Sequence, residues 1–139
     1  MIDQSSRRIG VYGLAVVEDA VLLTRVAPGY PGGGRWTLPG GGLERGEAPD
    51  EALQREIHEE TGLAVAAAEV LDLFSETVTT VTGQTVHSLQ LVYGVTLHGT
   101  PRRETDGSTD DVAWHPLHLL PATVSLVGRA LEARSVQSR

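Results

Sequence analysis

A glycine run that leads into a helix with three glutamates on one side is the tightest constraint on this chain. The segment reads Gly41-Gly42-Leu43-Glu44-Arg45-Gly46-Glu47, then seven residues, then Arg55-Glu56-Ile57-His58-Glu59-Glu60-Thr61-Gly62-Leu63. Pro49 suits a first helical turn, Asp50 and Glu51 favour the positive N-terminal end, and Gly62 suits a left-handed cap. Leu53 and Ile57, four apart, supply the apolar stripe that docks the helix, while Gln54 and His58 fall on the far side. Helical residues advance by about 100° each, so Glu56, Glu59 and Glu60 share one sector of roughly that width. Three like charges that close repel each other. Carboxylate oxygens suit Mg²⁺ or Mn²⁺, and such a cation would relieve the repulsion.

Charge is concentrated at the same place. The net charge is −7, and residues 44–60 hold seven acids against two arginines. This balance argues against non-specific binding to a polynucleotide, whose phosphates would be repelled. A small phosphorylated substrate can still bind where metal ions bridge the like charges. All eleven basic residues are arginine. A Schiff-base lysine and a phosphate-loop lysine are therefore excluded, and the triplets Gly32-Gly33-Gly34 and Gly40-Gly41-Gly42 are not a P-loop. The absence of cysteine removes disulfides, thiol nucleophiles and cysteine-ligated zinc, and is compatible with a cytoplasmic location. No apolar run of the roughly 18 residues needed for a membrane span exists, and MIDQSSRR lacks the apolar stretch of a signal peptide. The length of 139 residues suits one domain, taken as 1–139.

The rest of the chain alternates strands and turns. Ile9 to Val17 reads as a strand, Glu18-Asp19-Ala20 as a tight turn, and Val21 to Val26 as the hairpin partner. Residues 27–34, with two prolines and four glycines, read as a loop, and Trp36 to Leu38 as a short extended piece. Val65 to Val81 and Val86 to Leu97 read as long strands around Thr82-Gly83-Gln84. His98 to Asp111 reads as a polar loop, Val112 to Trp114 as a short strand, and Pro121 to Arg134 as a closing amphipathic helix. This order suggests an α/β sandwich with a mixed sheet.

The run Gly41-x5-Glu47-x7-Arg55-Glu56-Ile57-x-Glu59-Glu60-x-Gly62-Leu63 resembles the Nudix box at all nine defined positions across 23 residues. The lead-in Trp36-Thr37-Leu38-Pro39-Gly40 is also similar to that family's. The resemblance implies the Nudix-type α/β sandwich, a mixed sheet flanked by helices. It also implies Mg²⁺- or Mn²⁺-dependent hydrolysis of a nucleoside diphosphate linked to another moiety, such as a nucleoside triphosphate, ADP-ribose or a nucleotide sugar. Carried over residue by residue, Glu56, Glu59 and Glu60 match the metal-binding glutamates, and the Gly40 carbonyl matches a further ligand. Glu47 and Arg55 match the pair that braces the loop against the helix. Glu59, then Glu56, is the expected general base. Gly41, Arg25 and Arg35 are the expected substrate contacts.

Other positions carry weaker signals. Glu104, Asp106, Asp110 and Asp111 lie where a downstream loop can add an acid to the site, and no spacing selects among them. Arg102-Arg103 and His115-Pro116-Leu117-His118 read as exposed loop and turn residues. Specificity is expected from loops 27–35 and 98–111 and the last helix. A homodimer is left open by the sequence. The competing reading is a Nudix-fold nucleotide-binding or regulatory module without turnover, against which all three box glutamates speak.

Overall fold

The computed structural model describes residues 5–79 and 82–137. Eight strands and two helices follow one another as β1 (Ser5–Leu14), β2 (Val16–Val17), β3 (Ala20–Val26), β4 (Trp36–Thr37), β5 (Gly40–Gly42), α1 (Pro49–Thr61), β6 (Ala64–Thr79), β7 (Thr85–His98), β8 (Thr109–Pro116) and α2 (Ser125–Gln137). One sheet has the order β5-β1-β7-β6. It is mixed, because β1 runs parallel to β7 while β5 and β6 are antiparallel to their neighbours. The second sheet is built on β3, which pairs with β2, β4 and β8, all antiparallel. None of the described helices is long and apolar enough to cross a membrane.

The expected first strand divides in two. The chain leaves one sheet at Leu14 and enters the other at Val16, with Ala15 between them accepting a hydrogen bond from Leu22 N–H. The turn that follows pairs Val17 with Ala20 around Glu18 and Asp19, both with positive φ, 50° and 63°. Two successive left-handed residues give the twist that a two-residue hairpin needs.

Two apolar clusters fix the layers. Ala52, Leu53 and Ile57 of α1 pack with Val11, Leu22 and Tyr93, so the stripe read from the helix does dock on strands. Leu126, Val127 and Ala130 of α2 pack with Leu14, Val21, Leu23 and Val92. Strand β3 is buried on both faces, sending Leu22 to the α1 cluster and Val21 and Leu23 to the α2 cluster. Burying a side chain such as Ile57 fully contributes about 1.5–3 kcal/mol.

Two later elements, β8 and α2, have bounds that differ from the sequence reading. Strand β8 begins at Thr109, so the expected loop 98–111 is shorter and the expected short strand 112–114 is longer. Asp110 and Asp111 are poor strand formers, yet each finds a partner: Asp110 bonds Arg25, and Asp111 Oδ1 accepts from Val112 N–H. Helix α2 starts at Ser125, not at Pro121. The preceding residues are tied to β4 instead, through Trp36 N–H to Ala122 O and Val124 N–H to Trp36 O. The strand expected to reach Val81 is described as far as Thr79, and Thr80 and Val81 lie outside the described residues. So do residues 1–4, 138 and 139.

Candidate active site

Helix α1 begins and ends much as its sequence suggests. Pro49 occupies the first turn after Ala48, whose N–H is accepted by Glu51 Oε1 at 3.2 Å. Gly62 takes φ 74° and closes the helix by donating to His58 O. The C-terminal carbonyls find a partner that the sequence did not reveal. Arg102 reaches back so that Nη1 and Nη2 donate to Glu59 O and His58 O, and its own N–H donates to Thr61 O at 2.7 Å. A cation at the negative helix end is favourable, and orphan carbonyls need donors. Arg102 is thus a cap of α1, while His58 is exposed on the far side as expected.

The three glutamates leave the helix in different environments. Glu60 is buried, with Oε1 accepting the Gly40 N–H at 2.8 Å. Burial raises its pKa well above the usual carboxylate range; the Gly40 hydrogen bond opposes this, and the charges of Glu56, Glu104 and Glu59 add to it. Glu56 is largely covered and bonded by Arg55 Nη1 at 3.0 Å. Its pKa is also raised, chiefly by burial, with Arg55 opposing and Glu59 and Glu104 adding. Glu59 is half-exposed, with Arg55 Nη1 at 3.4 Å.

Glycine is required where these carboxylates meet β5. Gly40 has φ 152°, and a side chain there would run into Val11 O and Tyr12. A Cβ on Gly41 would stand 2.7 Å from the Glu56 carboxylate.

Arg55 ties the segment together. Its Nε and Nη2 grip Glu47 at 2.7 and 2.9 Å, and Nη2 also donates to Gly42 O at 3.2 Å. Glu47 in turn accepts the Glu44 N–H at 3.0 Å. The Arg55 hydrogen bond, then the Glu44 N–H, holds the Glu47 pKa down at about 2, and Arg55 is held protonated chiefly by Glu47. Arg55 also touches Glu56 and Glu59, so part of the compensation for the clustered charge comes from the chain itself.

Arg55→Ala is expected to lower the melting temperature and turnover together. It frees Glu47, releases the loop between Gly40 and Gly46, and leaves Glu56 without its cation. Glu47→Gln should mimic it in part. Misplacement of a site by about 1 Å can cost on the order of 10²-fold in rate. A variant that melts like the parent yet loses turnover would show Arg55 acting on substrate instead.

Glu56, Glu60 and Gly40 to Gly42 line one cleft of about 620 Å³ between the two sheets. Its floor carries Arg8, Tyr12, Ser88 and Gln90, and loop residues Tyr30 to Gly32 close one side. Glu59 is not among its lining residues. Neither are Arg25 and Arg35, the arginines expected to meet substrate. Arg25 pairs with Asp110 at 2.7 Å and lies over the Trp36 ring, and Arg35 reaches the Thr123 carbonyl at 3.4 Å. Arg8 is the arginine lining the cleft, and among the described residues it forms no ion pair. Of the four downstream acids, Glu104 comes within electrostatic range of Glu56 and Glu60. Its Oε1 accepts from Thr109 Oγ1 at 3.0 Å. His115 stacks edge-on against Trp36 and ends β8, away from the carboxylates.

The donor chemistry suits a hard divalent cation: acid and carbonyl oxygens, with Glu60 buried, Glu56 largely covered and both pKa values raised. Among the described residues, no three acidic or histidine side chains converge closely enough to hold an ion in this arrangement. The preorganised part is the Glu56 and Glu60 pair beside the glycines, while Glu59 remains with Arg55.

A family model described as NUDIX domain matches residues 6–133. A MutT-like protein of Streptomyces ambofaciens is 39% identical over 69 residues, which is 50% of this chain and 43% of that protein. The chain spans less than half the length of the curated relatives it matches. Among solved structures, a MutT NUDIX hydrolase from Burkholderia pseudomallei superposes with TM-score 0.77 at 26% identity, covering 92% of this chain and 98% of that one. The NUDIX domain of Shewanella oneidensis NrtR, solved with ADP ribose, superposes with TM-score 0.76 at 20% identity, covering 95% and 89%.

Proposed function

The chain belongs to the Nudix family, and from that premise we propose that it is a Mg²⁺- or Mn²⁺-dependent pyrophosphohydrolase of nucleoside diphosphate derivatives. One observation carries this reading: a buried carboxylate, Glu60, and a largely covered one, Glu56, face one cleft beside Gly40 and Gly41, where an added side chain would run into Val11 and Tyr12 or into the Glu56 carboxylate. Hydrolysis of a phosphoanhydride needs that juxtaposition of acid oxygens and open backbone. The MutT-like relative and the Burkholderia hydrolase support the same class. The family match over most of the chain supports reading it as a single Nudix domain.

Glu56 and Glu60 are the proposed cation ligands, with Glu59 and the Gly40 carbonyl completing the set. A cation bound there would neutralise charge on the phosphates and lower the pKa of an attacking water. Gly41, with no side chain, lets a phosphate approach the backbone. Arg8, at the Gly42 edge of the floor with Nε within 3.7 Å of where a Gly42 Cβ would stand, is the proposed phosphate-binding arginine, since it lines the cleft and Arg25 and Arg35 do not. Glu47 and Arg55 hold the loop. Water is the nucleophile, and no covalent intermediate is required.

Glu59 is the proposed general base. A second reading is favoured by the position of Glu104, whose charge reaches both buried glutamates from the loop before β8. The two are separated by kinetics. Glu59→Gln should lower kcat by at least about 10²-fold, the lower end for loss of a general base, and Glu104→Gln by far less. A reversed order moves the base to Glu104.

The proposal is tested with a panel of nucleoside triphosphates, ADP-ribose, nucleotide sugars and dinucleoside polyphosphates in Mg²⁺, read by product identity. Release of a nucleoside monophosphate from at least one supports it. No product from any, with folded protein and either cation, would leave a binding module.

A further inference from the structure

The cleft floor beyond the glycines is polar in a way the hydrolytic chemistry does not require. Strand register places Arg8 of β1 opposite Ser88 of β7, and Ser88 opposite Glu76 of β6. These three side chains form one row across adjacent strands, and all three line the cleft. At roughly 4.8 Å between neighbouring strands, the row spans about 10 Å. The next row is Gly10, Gln90 and Phe74. Gln90 also lines the cleft, and its Oε1 is buried without a hydrogen-bond partner.

An unpaired buried acceptor is costly, and most such atoms in folded proteins are satisfied. Phe74 on one side and Gly10 on the other offer Gln90 no side-chain donor. The Tyr12 ring lies close over Gly10. Because no described residue holds the Gln90 carbonyl, turning it to a ligand breaks no bond seen among them and gains one. Glu76 adds a second acceptor one row away, while Ser88 and Arg8 supply donors. Arg8 marks the end of the row nearer Gly42 and the catalytic carboxylates, which leaves Gln90 and Glu76 to face the remainder of the substrate.

The net charge of this surface narrows what that remainder is. Among the described residues, Arg8 is the one basic side chain lining the cleft, against Glu56, Glu60 and Glu76. A second heavily phosphorylated group would be repelled there. A neutral, planar group bearing hydrogen-bond donors would be held, with Tyr30 in the adjoining loop to cover it. We propose that Gln90 and Glu76 form a specificity floor that reads the exocyclic amino group of a nucleobase. This deepens the nucleotide reading given above and rests on it.

Equilibrium binding separates the two. Calorimetry in Mg²⁺ would compare α,β-methylene triphosphates in matched pairs that differ by one amino group: guanosine with inosine and adenosine with purine riboside. The parent should bind the amino-bearing member of at least one pair about fivefold more tightly or better, the lower end for pairing a buried polar group. Gln90→Leu should bring that ratio to within about twofold of unity by the same arithmetic. Glu76→Ala, on the edge strand and outside the two apolar clusters, should also reduce it, and it carries the test alone if Gln90→Leu does not fold. Loss of the preference in either folded variant supports the floor. A parent with no preference in any pair, or no nucleotide binding, overturns it, as does a preference kept in every folded variant. Selective binding without turnover of the natural nucleotides would instead remove the hydrolase reading and leave the floor standing.

Discussion

Turnover of the best substrate falls to background in excess EDTA and returns when Mg²⁺ or Mn²⁺ is restored. The expectation follows from the charge of the site. Glu60 is buried and Glu56 largely covered, burial raises the pKa of both, and the charge of Glu56 adds to the shift at Glu60. A phosphoanhydride brings more negative charge to the same cleft, where Arg8 is the one lining cation among the described residues. Arg55 touches Glu56, but two of its nitrogens are engaged by Glu47, so it cannot also neutralise the substrate. Binding and in-line attack therefore need positive charge from outside the chain. Charge neutralisation by a metal amounts to several kcal/mol, and each 1.36 kcal/mol is about tenfold in rate. Full turnover in excess EDTA, with metal analysis confirming removal, would end the cation reading.

Glu60→Gln is expected to lower kcat by at least about 10²-fold while making the metal-free protein more stable at neutral pH. The two effects have one origin. Ionised Glu60 is useful as a ligand and costly as a buried charge. Its folded pKa is raised above the unfolded value, so the associated stability is present below that unfolded value. It is lost as pH rises through the folded pKa. The melting temperature of the metal-free parent should therefore carry a penalty at neutral pH that Glu60→Gln does not share. The glutamine keeps an oxygen to accept the Gly40 N–H. The gap should close as the pH is lowered. Glu47 has the opposite sign: its pKa of about 2 means that its contribution is present above the ordinary glutamate range and is lost as pH falls through about 2. Melting temperatures against pH without metal check both signs. A Glu60→Gln variant that is less stable than the parent at neutral pH would show the buried carboxylate stabilising the fold.

Much of this site is legible in the sequence because its parts are local. Pro49, Gly62 and the Leu53 and Ile57 stripe fix a helix by rules that act over a few residues, and Glu47 meets Arg55 across only eight positions. What escapes the sequence depends on sheet register. In β7, Val86, Ser88 and Gln90 share one face, and alternation alone does not say what that face meets. Pairing with β1 and β6 turns it toward the cleft, while Leu89 is partly exposed. The resemblance makes Arg25 an expected substrate contact; the long-range pairing of β3 with β8, which the sequence does not contain, brings it to Asp110, while Arg8 lines the cleft. Spacing singles out none of the four downstream acids, and the approach of Glu104 to Glu56 and Glu60 depends on where the loop before β8 returns. The glutamates themselves were placed correctly on one helix. Their differing burial, from Glu60 inside to Glu59 at the rim, follows from contacts with β5 that helical geometry alone does not contain.

Mn²⁺ binding followed by electron paramagnetic resonance, on the parent and on Glu60→Gln without substrate, tests the central claim most directly. The account predicts that the parent holds Mn²⁺ at the glycine and glutamate cleft and that Glu60→Gln weakens this by at least about tenfold, the equivalent of 1.4 kcal/mol. Equal affinity in the two proteins, with Glu60→Gln folded, would contradict it and place the cation, if any, elsewhere.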